Sequence, residues 1–475
     1  MGGFFGVASK EDCIGDLFYG TDYHSHLGTR RGGLSVHGPG GFVRVIHSIE
    51  NDQFRSKFDE DIAAMSGRTG IGVISDTDDQ PLLIRSHLGN YAIVTVGVIK
   101  NKEELTRQCL ETRRLHFSEM GGGETSPTEL IATLINQEET YEAGIASALA
   151  AIQGSCSLLL LTEQGIYAAR DRWGRTPVVV ARKDGSTAVA LETCAFPNLG
   201  FRTEKYLGPG EVVFITADGY EQRTPPRDQL QICAFLWVYY GYPASSYEGI
   251  NVEWARNRCG GFLARRNPVS LDFVAGIPDS GIGHGLGYAA EAGIPFKRPF
   301  VKYTPTWARS FMPQNQVLRD LVARMKLIPI QELIEGRKFL FCEDSIVRGT
   351  QLKDTIQRLY DVGALEVHMR PACPPLVYSC KFLNFSISRS EFDLAARRAI
   401  RELEGDHPRD LKPYAVHGTE QYLAMEERIR RRLNLTTLKY QRMEDLIGAI
   451  GLPKERICTY CWDGVEVPAP DPAPQ

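Results

Sequence analysis

The chain predicts an α+β unit followed by an α/β unit, on three observations. Short apolar and alternating runs separated by glycine turns fill the first half, and strands alternate with helical segments after Thr224-Pro-Pro-Arg227. The third is Phe339-Leu-Phe-Cys-Glu-Asp-Ser-Ile-Val-Arg-Gly-Thr350, which joins an apolar strand to two carboxylates and a small-residue loop. The first pattern suits half-buried strands, and the second suits a parallel sheet covered on both faces.

In the first half, residues 92–99, 157–161, 178–181 and 212–215 read as strands bounded by turn residues. Three segments follow: residues 1–227, residues 228–390 with the alternating pattern, and residues 391–475 as a tail. Within the tail, residues 391–432 read as charged helices and residues 467–475 as a proline-rich end without core formers. No internal repeat is visible.

In the 339–350 stretch, residues 339–342 suit a buried strand, and residues 352–362 carry apolar residues at helical spacing up to Gly363. The loop of Ser345, Ile346, Val347, Arg348, Gly349 and Thr350 therefore precedes a helix. There free N–H groups of Arg348, Gly349 and Thr350, with the hydroxyls of Ser345 and Thr350, suit a phosphate dianion. Glu343 and Asp344 at the strand's carboxyl end suit two vicinal sugar hydroxyls or Mg2+. Two acids before a helix also serve as simple caps that complement its dipole, but caps need neither the preceding strand nor the Gly-Thr ending.

With 43% hydrophobic and 24% charged residues in 475, the chain has ordinary globular composition and length for two or three cores. A net charge of -4 argues against a general nucleic-acid or membrane-surface role. No apolar run reaches the roughly 18 residues of a membrane span, and no basic segment leads an apolar core, so a cytoplasmic protein is expected. Eleven cysteines, an odd number scattered along the chain, do not form a secreted disulfide framework. Cys458-Thr-Tyr-Cys461 lies outside any thioredoxin-type strand-to-helix pattern and reads as half of a metal site.

The Asp344-to-Thr350 loop resembles the phosphoribosyl pyrophosphate loop of type I phosphoribosyltransferases, and its wording resembles the amidophosphoribosyltransferase family in particular. The resemblance extends through Gly276-Ile-Pro-Asp-Ser-Gly281, Leu286-Gly-Tyr-Ala289, Val367-His-Met-Arg370, Ala169-Arg-Asp171 and Glu192-Thr-Cys-Ala195, nearly the whole chain. It implies an Ntn-hydrolase-like four-layer αββα sandwich, the glutaminase domain, followed by a phosphoribosyltransferase parallel-sheet domain with the tail packed on it. It also supplies partners for the cysteine pair, namely Cys233 and Cys380, giving four thiolates for a 4Fe-4S cluster. Four thiolates hold zinc equally well, so ligand type alone leaves both metals open. Either would tie the tail to the transferase core.

The same resemblance exposes losses in the first half. The family's amino-terminal nucleophilic cysteine falls on Gly2 and the arginine that grips the substrate carboxylate on Ser75. The asparagine of the oxyanion segment falls on Val96, ahead of Gly97, and the aspartate that holds the substrate amine falls on Pro127. Cys13 is internal and reads as an ordinary thiol, His24 and His26 as structural or solvated, and Arg30-Arg31-Gly-Gly33 as an anion contact of low specificity. Glutamine hydrolysis is therefore expected to be absent.

In the transferase half the family's two aspartates become Glu343-Asp344, and Ser280 is implied as a third Mg2+ contact. The closing loop Lys302-Tyr-Thr-Pro-Thr-Trp-Ala-Arg-Ser-Phe311 keeps Lys302 and Arg309, implied helpers of the leaving pyrophosphate, but loses an arginine and a glycine. The expected activity is transfer of the ribosyl 5-phosphate group of phosphoribosyl pyrophosphate to ammonia or another amine, opening purine synthesis. The other reading is a silent regulatory relative that binds phosphoribosyl pyrophosphate or a purine nucleotide. By analogy the chain forms a homo-oligomer and responds to purine nucleotides.

Overall fold

The computed structural model describes residues 2–113, 117, 120–121, 124–302, 327–383, 391–405 and 410–466. Residues 303–311 of the closing loop, Arg309 among them, and the proline-rich end lie outside the described residues.

Two antiparallel sheets form the first half. One runs edge to edge through Arg202–Tyr206, Val179–Lys183, Ser186–Ala190, Gly3–Ser9, Thr69–Ser75, Arg31–Gly38 and Gly41–Ser48. The other runs through Gly219–Thr224, Val212–Thr216, Ile166–Ala169, Gly154–Leu161, Gly89–Ile99 and Leu82–Ser86. Side-chain alternation makes each sheet two-faced. Phe4, Ile71 and Val73 of one sheet meet Val94, Leu159 and Leu161 of the other in a shared core. Phe5 and Val7 turn the other way, toward Leu17, Phe54 and Phe58 of helices Ile14–Asp22 and Phe54–Ala64. Leu158 and Leu160 face Leu130, Ile131 and Ile145 of helices Pro127–Ile135 and Tyr141–Ala151. These three cores make the four-layer αββα sandwich, and the strands expected at residues 92–99, 157–161, 178–181 and 212–215 all belong to it.

The second half is built on a parallel sheet ordered Phe273–Gly276, Lys338–Glu343, Glu366–Pro371 and Thr437–Leu438. Phe339 and Phe341 pack toward Ile356, Leu359, Ala399 and Met425 on one face. Leu340 and Cys342 pack toward Leu263 and Tyr288 on the other. The covering helices have conventional ends: Asn251 caps Val252–Arg266, and Gly293 at φ 65° terminates Ser280–Ala292. The charged helices expected in the tail are Ala395–Glu404, Lys412–Ala415 and Glu420–Arg432.

Hydrogen bonds lock the halves together. The wholly buried Arg170 reaches Glu248 at 2.8 Å, and Glu192 accepts from Ser245 Oγ at 3.1 Å and from the Tyr247 hydroxyl. The Thr193 hydroxyl accepts from Ser246 N at 2.8 Å, and the backbone N–H groups of Gln231 and Cys233 donate to the carbonyls of Trp173 and Arg175.

Candidate functional site

Strand Lys338–Glu343 delivers two carboxylates to the carboxyl edge of the parallel sheet, where helix Thr350–Asp361 begins. Gly349 takes φ 70°, a left-handed turn that favours glycine, and swings the chain into that helix. Asp344 is buried and accepts from Ser280 Oγ at 2.5 Å and Ser345 Oγ at 2.6 Å. Ser280, the first residue of its own helix, thus meets the acid pair across the sheet. In this arrangement the Ser345 hydroxyl serves Asp344.

Burial, then the neighbouring Asp344 charge, holds the Glu343 carboxyl well above its ordinary range. Burial also raises Asp344, against hydrogen bonds from both serines and the nearby Arg256 charge. Lys302 Nζ bonds Asp279 Oδ2 at 2.5 Å, which places this cation beside Ser280.

The tail contributes to this loop, a role that no motif in the tail signals. Ala395 N donates to the Val347 carbonyl at 2.7 Å, and the Arg398 guanidinium donates to the Arg348 carbonyl.

Gly2, Ser75, Val96 and Pro127, far apart in sequence, belong to neighbouring segments around one buried polar network. A Cβ built at Gly2 would stand 2.3 Å from the Ile74 carbonyl oxygen and 3.4 Å from Ser75 Cα. Ser75 ends its strand, Val96 packs into the core between the sheets, and Pro127 is the first residue of a helix capped by Ser126. Pro127 suits that position because its missing N–H would be unpaired there anyway.

The network centres on Gln80, which is 1% exposed and which the sequence does not single out, because nothing in its immediate neighbours marks it. Its Oε1 accepts from Thr95 N at 2.7 Å, and its Nε2 donates to Asp78 Oδ1 at 2.8 Å and Ser75 Oγ at 3.4 Å. Asp78 Oδ2 accepts from Ser126 Oγ at 2.6 Å and Thr128 N at 3.1 Å. A glutamine side chain of the protein itself thus bonds Ser75 and the strand that carries Val96, and reaches the segment of Pro127 through Asp78.

The other residues singled out in this half are tied into structure. Cys13 is buried and its thiol is pushed up to about 12 by burial. His24 is buried between the Gly20 carbonyl and the Glu192 N–H, and desolvation lowers it to about 4. His26 Nε2 lies 3.0 Å from Glu192 Oε2. Arg31 pairs with Asp79 at 2.7 Å.

Cys233, Cys380, Cys458 and Cys461 line one cavity of about 10 Å³ together with Arg175, Phe235, Phe382 and Trp462. Strands Ile232–Cys233 and Ile457–Cys458 pair in parallel, and Cys461 sits in the short helix Tyr460–Asp463. The cysteine pair is therefore flanked by a short strand and a short helix, elements too brief to leave a periodic pattern in the sequence. Burial, then the nearby Cys458 and Cys380 charges, holds Cys233 well above the thiol range. A hydrogen bond with Cys380, then burial, does the same for Cys461. Among the described residues no three His, Cys, Asp or Glu side chains stand as a ready-made ion cage.

An antiparallel αββα sandwich joined to a parallel sheet whose acid pair opens onto a helix N-terminus defines a two-domain amidotransferase of the phosphoribosyltransferase type. The comparisons with known proteins agree. Residues 67–198 match the family model described as "Glutamine amidotransferase domain". The amidophosphoribosyltransferase of Bacillus subtilis is 30% identical over 414 residues, covering 84% of this chain and 85% of its own. That of Methanocaldococcus jannaschii is 28% identical over 98% of this chain and 97% of its own. The solved glutamine phosphoribosylpyrophosphate amidotransferase of B. subtilis, complexed with ADP and GMP, superposes with a TM-score of 0.84 at 27% identity, covering 98% of this chain and 96% of that one. The chain belongs to the amidophosphoribosyltransferase family.

Proposed function

We propose that this protein transfers the ribosyl 5-phosphate group of phosphoribosyl pyrophosphate to ammonia, or to another amine, without hydrolysing glutamine. The carrying observation is the contrast between the two sites: Asp344 is held by Ser280 and Ser345 at the open edge of the parallel sheet, whereas Gln80 fills the network beside Gly2.

Residues 1–227 would then be a glutaminase-like domain without its chemistry, residues 228–390 the transferase domain, and residues 391–475 a tail that braces the phosphate loop. Glu343, Asp344 and Ser280 hold Mg2+, which supplies charge neutralisation on the departing pyrophosphate. The loop from Ser345 to Thr350 takes the 5-phosphate, and Lys302 and Arg309 assist the leaving group. For Lys302 this requires exchanging its bond to Asp279 for the ligand.

The four cysteines hold a structural iron–sulfur cluster, and the family resemblance favours that group over zinc. Their donor chemistry and convergence on one apolar cavity support a tetrathiolate group. A cavity of about 10 Å³ has room for roughly one water, so a four-iron group requires the thiols to spread.

Anaerobically purified protein, given phosphoribosyl pyrophosphate and Mg2+, should release pyrophosphate with ammonium chloride and not with glutamine. Release with glutamine would overturn the proposed loss. Silence with both, alongside tight binding of phosphoribosyl pyrophosphate, would favour the regulatory reading.

A further inference from the structure

An arginine from the first half reaches the four thiols. Arg175 follows the Ala169-Arg-Asp171 segment, is 5% exposed, and lines the cavity shared by Cys233, Cys380, Cys458 and Cys461. Its backbone carbonyl accepts from Cys233 N at 3.1 Å, and its Nη1 donates to the Gly154 carbonyl at 3.2 Å. The guanidinium lies 3.7 Å from the centroid of Phe382, two residues beyond Cys380, and 5.5 Å from that of Trp173. Its Nε is buried without a hydrogen-bond partner. A cation so deeply desolvated is costly unless negative charge stands beside it.

The thiols supply that charge only when ionised, and metal binding ionises them. Cys233, Cys380, Cys458 and Cys461 all come from the second half or the tail. Arg175 comes from the first half, anchored by Gly154 at the start of a sheet strand.

We infer that Arg175 is a positioning residue for the tetrathiolate group, so that the glutaminase-like half completes a metal site whose ligands all lie outside it. The inference rests on the reading of those cysteines as metal ligands. It gives the first half a task independent of glutamine: a fixed positive charge beside a group whose thiolates carry excess negative charge. Outer partners of this kind are worth about 10- to 100-fold in metal affinity.

The test compares wild type, Arg175→Met and Arg175→Lys, all purified anaerobically as full chains. Metal and sulfide content come first, then the rate of metal release to a chelator and, where iron is present, the reduction potential. The inference expects Arg175→Met to release metal about 10- to 100-fold faster than wild type and to shift the potential downward, with Arg175→Lys close to wild type. A purely structural arginine would leave the potential unmoved. Equal release and potential in wild type and Arg175→Met would overturn the inference while leaving the ligand assignment intact. A lysine variant as impaired as the methionine variant would show that shape, not charge, matters and would likewise overturn it. Wild-type protein without metal would overturn the ligand assignment itself.

Discussion

Replacing Gln80 with methionine preserves the length of the side chain and removes both polar ends. The Thr95 N–H, which gives its bond to Gln80 at 2.7 Å, would be left buried without an acceptor. Such a group costs about 1–3 kcal/mol. Asp78 would lose its 2.8 Å bond from Nε2, and a hydrogen bond to a charged group contributes about 1.5–3 kcal/mol. Asp78 keeps Ser126 Oγ and Thr128 N, so the lower end of that range applies. A net loss of about 3 kcal/mol follows, and at about 2–4 °C per kcal/mol for a unit of this size the first half should melt about 6–12 °C lower. Differential scanning calorimetry of wild type and Gln80→Met reads this directly. A melting temperature unchanged to within about 2 °C would refute the view that Gln80 holds this network together. No glutaminase activity should appear in the variant, because opening the network creates no nucleophile.

Restoring the nucleophile should fail too: in Gly2→Cys the new Cβ would stand 2.3 Å from the Ile74 carbonyl, and glutamate release from glutamine should stay at background in a coupled assay. Asp344→Asn should cut pyrophosphate release with ammonia by about 10- to 100-fold, since both serine contacts converge on that carboxylate and it is a proposed cation ligand; retained activity would remove it from the proposed metal site. Acid should weaken the fold through His24, lowered by burial to about 4 from an ordinary 6.5, and through His284, lowered by burial to about 3. Below 6.5 the unfolded chain binds protons that the folded one refuses, so stability is full above that pH and falls as pH drops toward 4. His24 alone contributes about 3 kcal/mol to that loss, and a urea midpoint that stays flat between pH 7 and 4.5 would contradict it.

How much of the molecule is legible in the sequence depends on whether the chemistry sits in one stretch. The strand, acid pair and loop of residues 338–350 are contiguous, and each residue type has a local reason to be there: Phe339 and Phe341 for one face of the sheet, Gly349 for a left-handed turn. Cys458 and Cys461 announce themselves by spacing, but Cys233 and Cys380 come only with the family resemblance. The Gln80 network is invisible in the sequence because its members at residues 75, 78, 80, 95, 126 and 128 meet only when two strands and a helix N-terminus converge. Arg175 carries no local mark for a similar reason, since the four cysteines and Phe382 that it meets lie in the other half. The interdomain contacts of Glu192 with Ser245 and Tyr247 likewise have no local signal, although Glu192 stands in a segment that the resemblance includes.

The acid pair offers the sharpest separation of function from stability. In the Gln80 network the polar groups of Gln80, Asp78, Ser126 and Thr95 satisfy one another, as buried polar groups require. Glu343 and Asp344 do the opposite: two adjacent carboxyls, Asp344 buried and Glu343 half-buried, each raised in pKa by burial, with Glu343 raised further by its neighbour. A carboxyl whose folded pKa is raised contributes stability that is complete below its unfolded value and lost as pH climbs toward the folded one. Glu343→Gln keeps a donor toward Asp344 and removes the titration. At pH 8 the variant should therefore melt higher than wild type, with the gap closing as pH falls toward 4.5. The same variant should bind Mg2+ with phosphoribosyl pyrophosphate more weakly, because one carboxylate ligand is gone. Stability gained at high pH and binding lost together would mark a pair kept for its ligand at the expense of the fold. A variant less stable than wild type at pH 8 would mean that Glu343 is held for structure, and the case for the metal would then rest on Asp344 and Ser280.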